Sequence, residues 1–107
     1  MELYERVQQV WDQVHEVSDR ILALEPHLSL FDQDDQQTIS RVGASCLAFS
    51  KTLLVLDAQG ANEQESRAFV AIVEDFCVAS KTMLAFAERT VQIQQQTERR
   101  ARESQAA

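Results

Sequence analysis

Turn-forming residues are scarce in this chain, with two glycines and one proline among 107 residues. A sheet protein of this length needs many turns, so the scarcity argues against β architectures and for long helices. Cysteine is scarce too. Cys46 and Cys77 are too few and too widely spaced for a disulfide framework or a Cys-x-x-Cys metal motif, and their default place is a core. Positive charge is in deficit, ten lysines and arginines against seventeen acidic residues, for a formal charge of −7. Residues 92–107 hold three arginines and two glutamates, which leaves −8 on residues 1–91. A body of that sign repels phosphate backbones and speaks against nucleic-acid binding. The opening Met1-Glu2-Leu3-Tyr4-Glu5-Arg6 lacks the basic start and apolar run of a signal peptide. No apolar stretch is expected to approach the roughly 20 residues of a membrane span. The expectation is a cytoplasmic protein that binds neither nucleic acid nor membrane.

What is present is ordinary globular composition, 45% hydrophobic and 25% charged, enough for one domain with one modest core. From Leu3 the apolar residues recur as Leu3, Val7, Val10, Val14, Val17, Ile21 and Leu24, in alternating steps of four and three. That is a heptad seam, and it predicts a first helix. Pro26 should end this helix by pushing Glu25 out of the α region. A second helix is predicted from Asp32, whose carboxylate can cap the free amides of the first turn, with Ser29 as the competing cap. Its seam is Ile39, Val42, Cys46, Phe49, Leu53 and Leu56, with Leu47 and Leu54 as a flank, and Gly60 offers the left-handed residue that closes it. Asn62 and Glu65 form a capping-box pattern for a third helix.

The third helix carries two ladders, Phe69, Ile72, Phe76, Ala79, Met83, Phe86, Thr90 and Ile93 beside Val70, Val73, Cys77, Ser80, Leu84, Ala87 and Val91. A stripe of that width suits a helix packed against two neighbours. Both ladders end by Ile93. The predicted fold is all-α, an antiparallel three-helix bundle over residues 1–93 with an extended third helix, and residues 94–107 form a polar helical extension or a frayed tail. With the second turn near Gly60, an antiparallel hairpin brings Cys46 level with Cys77. A short repeat, Ser50-Lys51-Thr52-Leu53-Leu54 and Ser80-Lys81-Thr82-Met83-Leu84, reads as a shared amphipathic pattern.

Few residues invite chemistry. Asp12, His15, Glu16 and Asp19 share a helical face and have metal-ligand spacing, but the seam places that face toward water. Cys46 and Cys77 lie in apolar seams without a neighbouring histidine, which a nucleophile would need. The Ser-Lys-Thr segments lack the preceding glycines of a phosphate loop. Gly43, mid-helix, costs about 1 kcal/mol against alanine and hints at a close helix approach. No catalytic residue, metal ligand or cofactor is expected. Tyr4 and Trp11, seven residues apart at the edge of the first seam, either close the core or anchor a partner; they are the candidate partner-binding residues, because large amphipathic rings beside a polar rim are common interface anchors. The function expected is a non-enzymatic helical interaction protein, a small acidic adaptor, regulator or inhibitor acting on a protein partner or as a homodimer. A ligand- or metal-binding helical bundle is the alternative.

Overall fold

The computed structural model describes residues 2–59 and 62–106, and side chains over the same range except for residues 57–59. Three α-helices follow one another, α1 over Leu3–Leu24, α2 over Gln33–Gln59 and α3 over Glu63–Ala106, and no strand occurs among the described residues. The all-α class read from the sequence is therefore what the chain adopts. The proposed closure of α2 by Gly60 lies outside the described residues.

The helix starts follow the capping chemistry. The Asp32 carboxylate accepts the Asp35 amide at 2.8 Å, and its carbonyl accepts the first intrahelical bond from Gln36. Asn62 Oδ1 accepts the amides of Gln64 and Glu65 at 2.8 and 3.2 Å. Among the described residues no return bond from Glu65 to the Asn62 amide is formed, so half of the predicted capping box is present. The first helix ends at Leu24 as expected, but for a different local reason. Glu25 keeps helical angles (φ −52°, ψ −45°), and the chain tightens into a 3₁₀ turn over Glu25–Leu30 with Pro26 in its first turn. A proline there gives up only an amide that a helix start leaves unpaired, and Glu25 stays in the α region ahead of it.

The central element is α1. It packs closely along α3 and along α2, whereas α2 and α3 approach each other less closely and meet through side chains such as Phe49, Phe69 and Phe76. The third helix thus has two neighbours, as its wide stripe predicts, but only α1 packs closely along it. Val10, Val14 and Val17 of α1 are fully buried, facing Val70, Val73, Cys77 and Leu84 of α3 and Ile39, Cys46 and Leu53 of α2 in one continuous core. Only the second α3 ladder is buried throughout. In the first, Phe69, Phe76 and Met83 pack partly against the core, and Phe49 meets Phe69 and Phe76 edge-on with ring centroids 5.9 and 4.9 Å apart. The remaining members face outward. The Ser-Lys-Thr copies also part company here, since Leu53 is buried and Leu54 exposed in α2 while Met83 is half-buried and Leu84 buried in α3.

Ion pairs set the direction of α1 against α3. Arg6 pairs with Glu74, and Arg20 makes two bonds to Glu88, its Nε donating at 2.9 Å, so the two helices run parallel with an offset of 68 residues. Leu24 then lies level with about residue 92, and α3 continues beyond it for about 20 Å as an exposed helix. With 44 residues, α3 spans about 66 Å, which accounts for the 65 Å long axis of the molecule.

One stretch departs from the expectation about membrane spans. Gln33–Leu56 is long enough to cross a bilayer, and its most apolar 18-residue window reaches a mean hydropathy of 1.4, although that window contains Arg41 and Lys51 and is only 17% buried. The apolar character comes from Ile39, Cys46 and Leu53 on the core side together with alanines, Leu47, Leu54 and Val55 on the outer side.

Candidate functional site

The interior is closed. No buried side-chain nitrogen or oxygen among the described residues lacks a hydrogen-bond partner. Cys46 and Cys77 are free thiols at 2% and 0% exposure, and burial pushes Cys46 up to about 11, with the neighbouring Cys77 adding to the shift. Burial pushes Cys77 up as well. Both are poor nucleophiles in that setting. The acidic group of α1 faces water as expected, with Asp12, His15, Glu16 and Asp19 all exposed. Glu16 is engaged by Lys81 Nζ at 2.7 Å, and that hydrogen bond holds its carboxyl below the usual range. No cluster of three or more His, Cys, Asp or Glu side chains suited to a metal ion occurs among the described residues.

What the fold leaves over is apolar surface, in two strips. The first runs along the α1–α2 edge. Tyr4 is 64% exposed there, beside a shallow cleft lined by Leu3, Val7, Leu56 and Ser66. Trp11 is half-buried against the core, tilted onto His15 with ring centroids 4.5 Å apart, and it borders a second cleft with Val7, Gln8, Leu53 and Leu54. The two residues chosen from the sequence therefore share an edge but differ in role. Trp11 closes the core on one side, whereas Tyr4 stands in solvent. Leu22 on α1 and Leu47 and Leu54 on α2 continue the strip and are each more than half exposed. Their place as a flank of the α2 seam predicts that Leu47 and Leu54 face the hairpin, and they do not. They point outward because α2 turns the Ile39, Cys46 and Leu53 row inward, and a residue one position past such a row lies about 100° around the helix.

The second strip is the outer face of α3. Ile72, Phe86 and Ile93 are 59%, 64% and 57% exposed, Ala79 lies between them at heptad spacing, and Val78 beside them is exposed too. Sequence reasoning assigned this row to the core. A signal that could have separated the two α3 ladders is the matched spacing of Arg6 and Arg20 with Glu74 and Glu88, two heptads in each helix. It fixes α1 beside the Val70 ladder and leaves the Ile72 row on the far side.

These features define a class: a small all-α bundle with a finished core and unfinished surface. Comparison of the chain with known protein families, curated proteins and solved structures finds no match.

Proposed function

We propose that this protein is a non-enzymatic helical interaction protein, an adaptor, regulator or inhibitor that works by binding another protein in the cytoplasm. One observation carries the reading. Large apolar side chains stand in water outside a core whose described buried polar side-chain atoms are all paired, and contiguous apolar strips with polar borders mark association surfaces. The heterologous partner docks on the α1–α2 edge around Tyr4, Trp11 and Leu54. That edge is bordered by Glu5, Asp12 and Asp19 on α1 and by Lys51 on α2, all exposed. A complementary occupant is an amphipathic helix with leucine-like anchors, basic along the border that meets α1. The charge of −7 supports a protein rather than a nucleic acid as the partner.

A photoreactive phenylalanine analogue placed at Tyr4 or at Leu54 tests this in the source cells. The expected outcome is one adduct of the same mass from both positions, absent when the analogue replaces Asp34 or Gln37 on the exposed start of α2. Only adducts shared equally with the control positions, or none, contradicts the assignment. Flotation with lipid vesicles that depends on α2 contradicts it in favour of membrane binding.

A further inference from the structure

The outer row of α3 is complementary to itself when turned end for end. At heptad spacing it reads Glu65, Ile72, Ala79, Phe86, Ile93 and Arg100, and each of these side chains is exposed or, for Phe86, 64% exposed. About a two-fold axis at the level of residues 82–83, Glu65 falls opposite Arg100 of a second copy, Ile72 opposite Ile93, and the small Ala79 opposite the large Phe86. The neighbouring row, Asp75, Thr82 and Arg89, repeats the logic: Asp75 falls opposite Arg89 and Thr82 opposite itself. Among the described residues none of Glu65, Asp75, Arg89 and Arg100 takes part in an ion pair within the chain. A parallel arrangement in register would set each of these charges against its own kind, which disfavours it.

We infer that the protein forms an antiparallel two-fold homodimer along the outer face of α3, using a surface separate from the Tyr4 edge. The row from Glu65 to Arg100 rises about 53 Å along the helix, and a strip one helix diameter wide covers about 500 Å² on each copy. The total, about 1,000 Å², meets the lower bound for a specific interface and implies a dimer that dissociates on dilution. The extension of α3 beyond Leu24 gains a purpose in this arrangement, since it carries Arg100 past the partner's core to reach Glu65 at the start of its α3. Burial of Phe86 against the partner's Ala79 forms the centre of the contact, and the two Asp75–Arg89 pairs fix its direction.

Sedimentation equilibrium of the full chain and oxidative cross-linking test the inference together. The chain is expected to shift from monomer to dimer with rising concentration through the micromolar range. Asp75→Arg should weaken dimerisation by about tenfold or more, and Asp75→Arg with Arg89→Asp should restore it. Thr82→Cys should form an intermolecular disulfide readily, because the axis brings the two copies of this position together. Ile72→Cys should not link to itself but should link to Ile93→Cys in a mixture. Helix content by circular dichroism confirms that these exposed substitutions leave the monomer folded. A monomer at every concentration, self-linking by Ile72→Cys, or no rescue in the charge-swapped chain overturns the inference. A Phe86→Asp chain, monomeric on this account, should keep the Tyr4 photoadduct, so failure here is distinguishable from failure of the partner site.

Discussion

Replacing Tyr4 and Trp11 separately by alanine should give unequal losses of stability, because the structure divides their roles. A large aromatic residue buries roughly 150–250 Å² when enclosed. Trp11, mostly enclosed against the core, removes about 160–225 Å² from water. At roughly 25 cal/mol per Å², its truncation is worth about 4–5 kcal/mol as an upper bound, and about 3 kcal/mol once partial compaction of the unfolded chain is counted. Tyr4 is 64% exposed and sits in the first turn of α1, where helix ends fray. Its truncation should cost under about 1 kcal/mol. Urea unfolding followed by circular dichroism measures both, provided the m value is unchanged. A Trp11→Ala loss under about 1 kcal/mol, or a Tyr4→Ala loss as large as that of Trp11→Ala, would refute the assignment of Trp11 to core closure and Tyr4 to solvent.

Four other outcomes follow from particular contacts. A Cβ at Gly43 would lie 3.5 Å from Ile21 Cγ2, ordinary contact distance, so Gly43→Ala should stabilise the chain by about 0.5–1 kcal/mol in the same assay. Cys46 and Cys77 should resist labelling in the native state and react promptly on denaturation. At pH 8, the rise of Cys46 to about 11 alone cuts its thiolate fraction by roughly a hundredfold, and fast stoichiometric native labelling would contradict the placement of both seams. Deleting residues 95–107 should leave the monomer within about 1 kcal/mol of the full chain, because burial in α3 ends at Val91 and the removed residues are exposed. The Arg20 hydrogen bond holds the Glu88 carboxyl below its ordinary value of 4.5, so the stability it contributes is present above that pH and lost as pH falls through the lowered value. The melting temperature should fall on acidification below about 4.5, and Glu88→Gln should flatten part of that slope.

The helices and their starts were legible in the sequence because their causes are local. Asp32 and Asn62 cap within three residues, and the α1 seam of valines has one apolar face to bury. The level pairing of Cys46 with Cys77 was legible as well, since a hairpin's register follows from its turn and both residues are core members. The choice between the two α3 ladders was not. Each has helical spacing, and which one faces inward depends on where α1 lies, a non-local fact carried by Arg6–Glu74 and Arg20–Glu88. Leu47 and Leu54 were misplaced for the same reason, because a second row on α2 looks like a flank of the core until the neighbouring helix is in position. The pair Tyr4 and Trp11 stood out as large rings at a seam edge, yet the sequence treats them alike. Only the packing of Trp11 against the core, with Tyr4 left exposed, separates them.

The most direct measurement separates folding from binding at exposed positions of the α1–α2 edge. A tagged chain with Tyr4→Ser, Leu47→Gln and Leu54→Gln is compared with the parent for urea unfolding and for the proteins it retains on capture from its source cells. Surface substitutions of this kind should each change stability by about 0.5 kcal/mol or less. The expected result is a folded variant that loses the protein cross-linked through Tyr4. A folded variant that retains this partner at the parent's level would contradict a function seated on that edge.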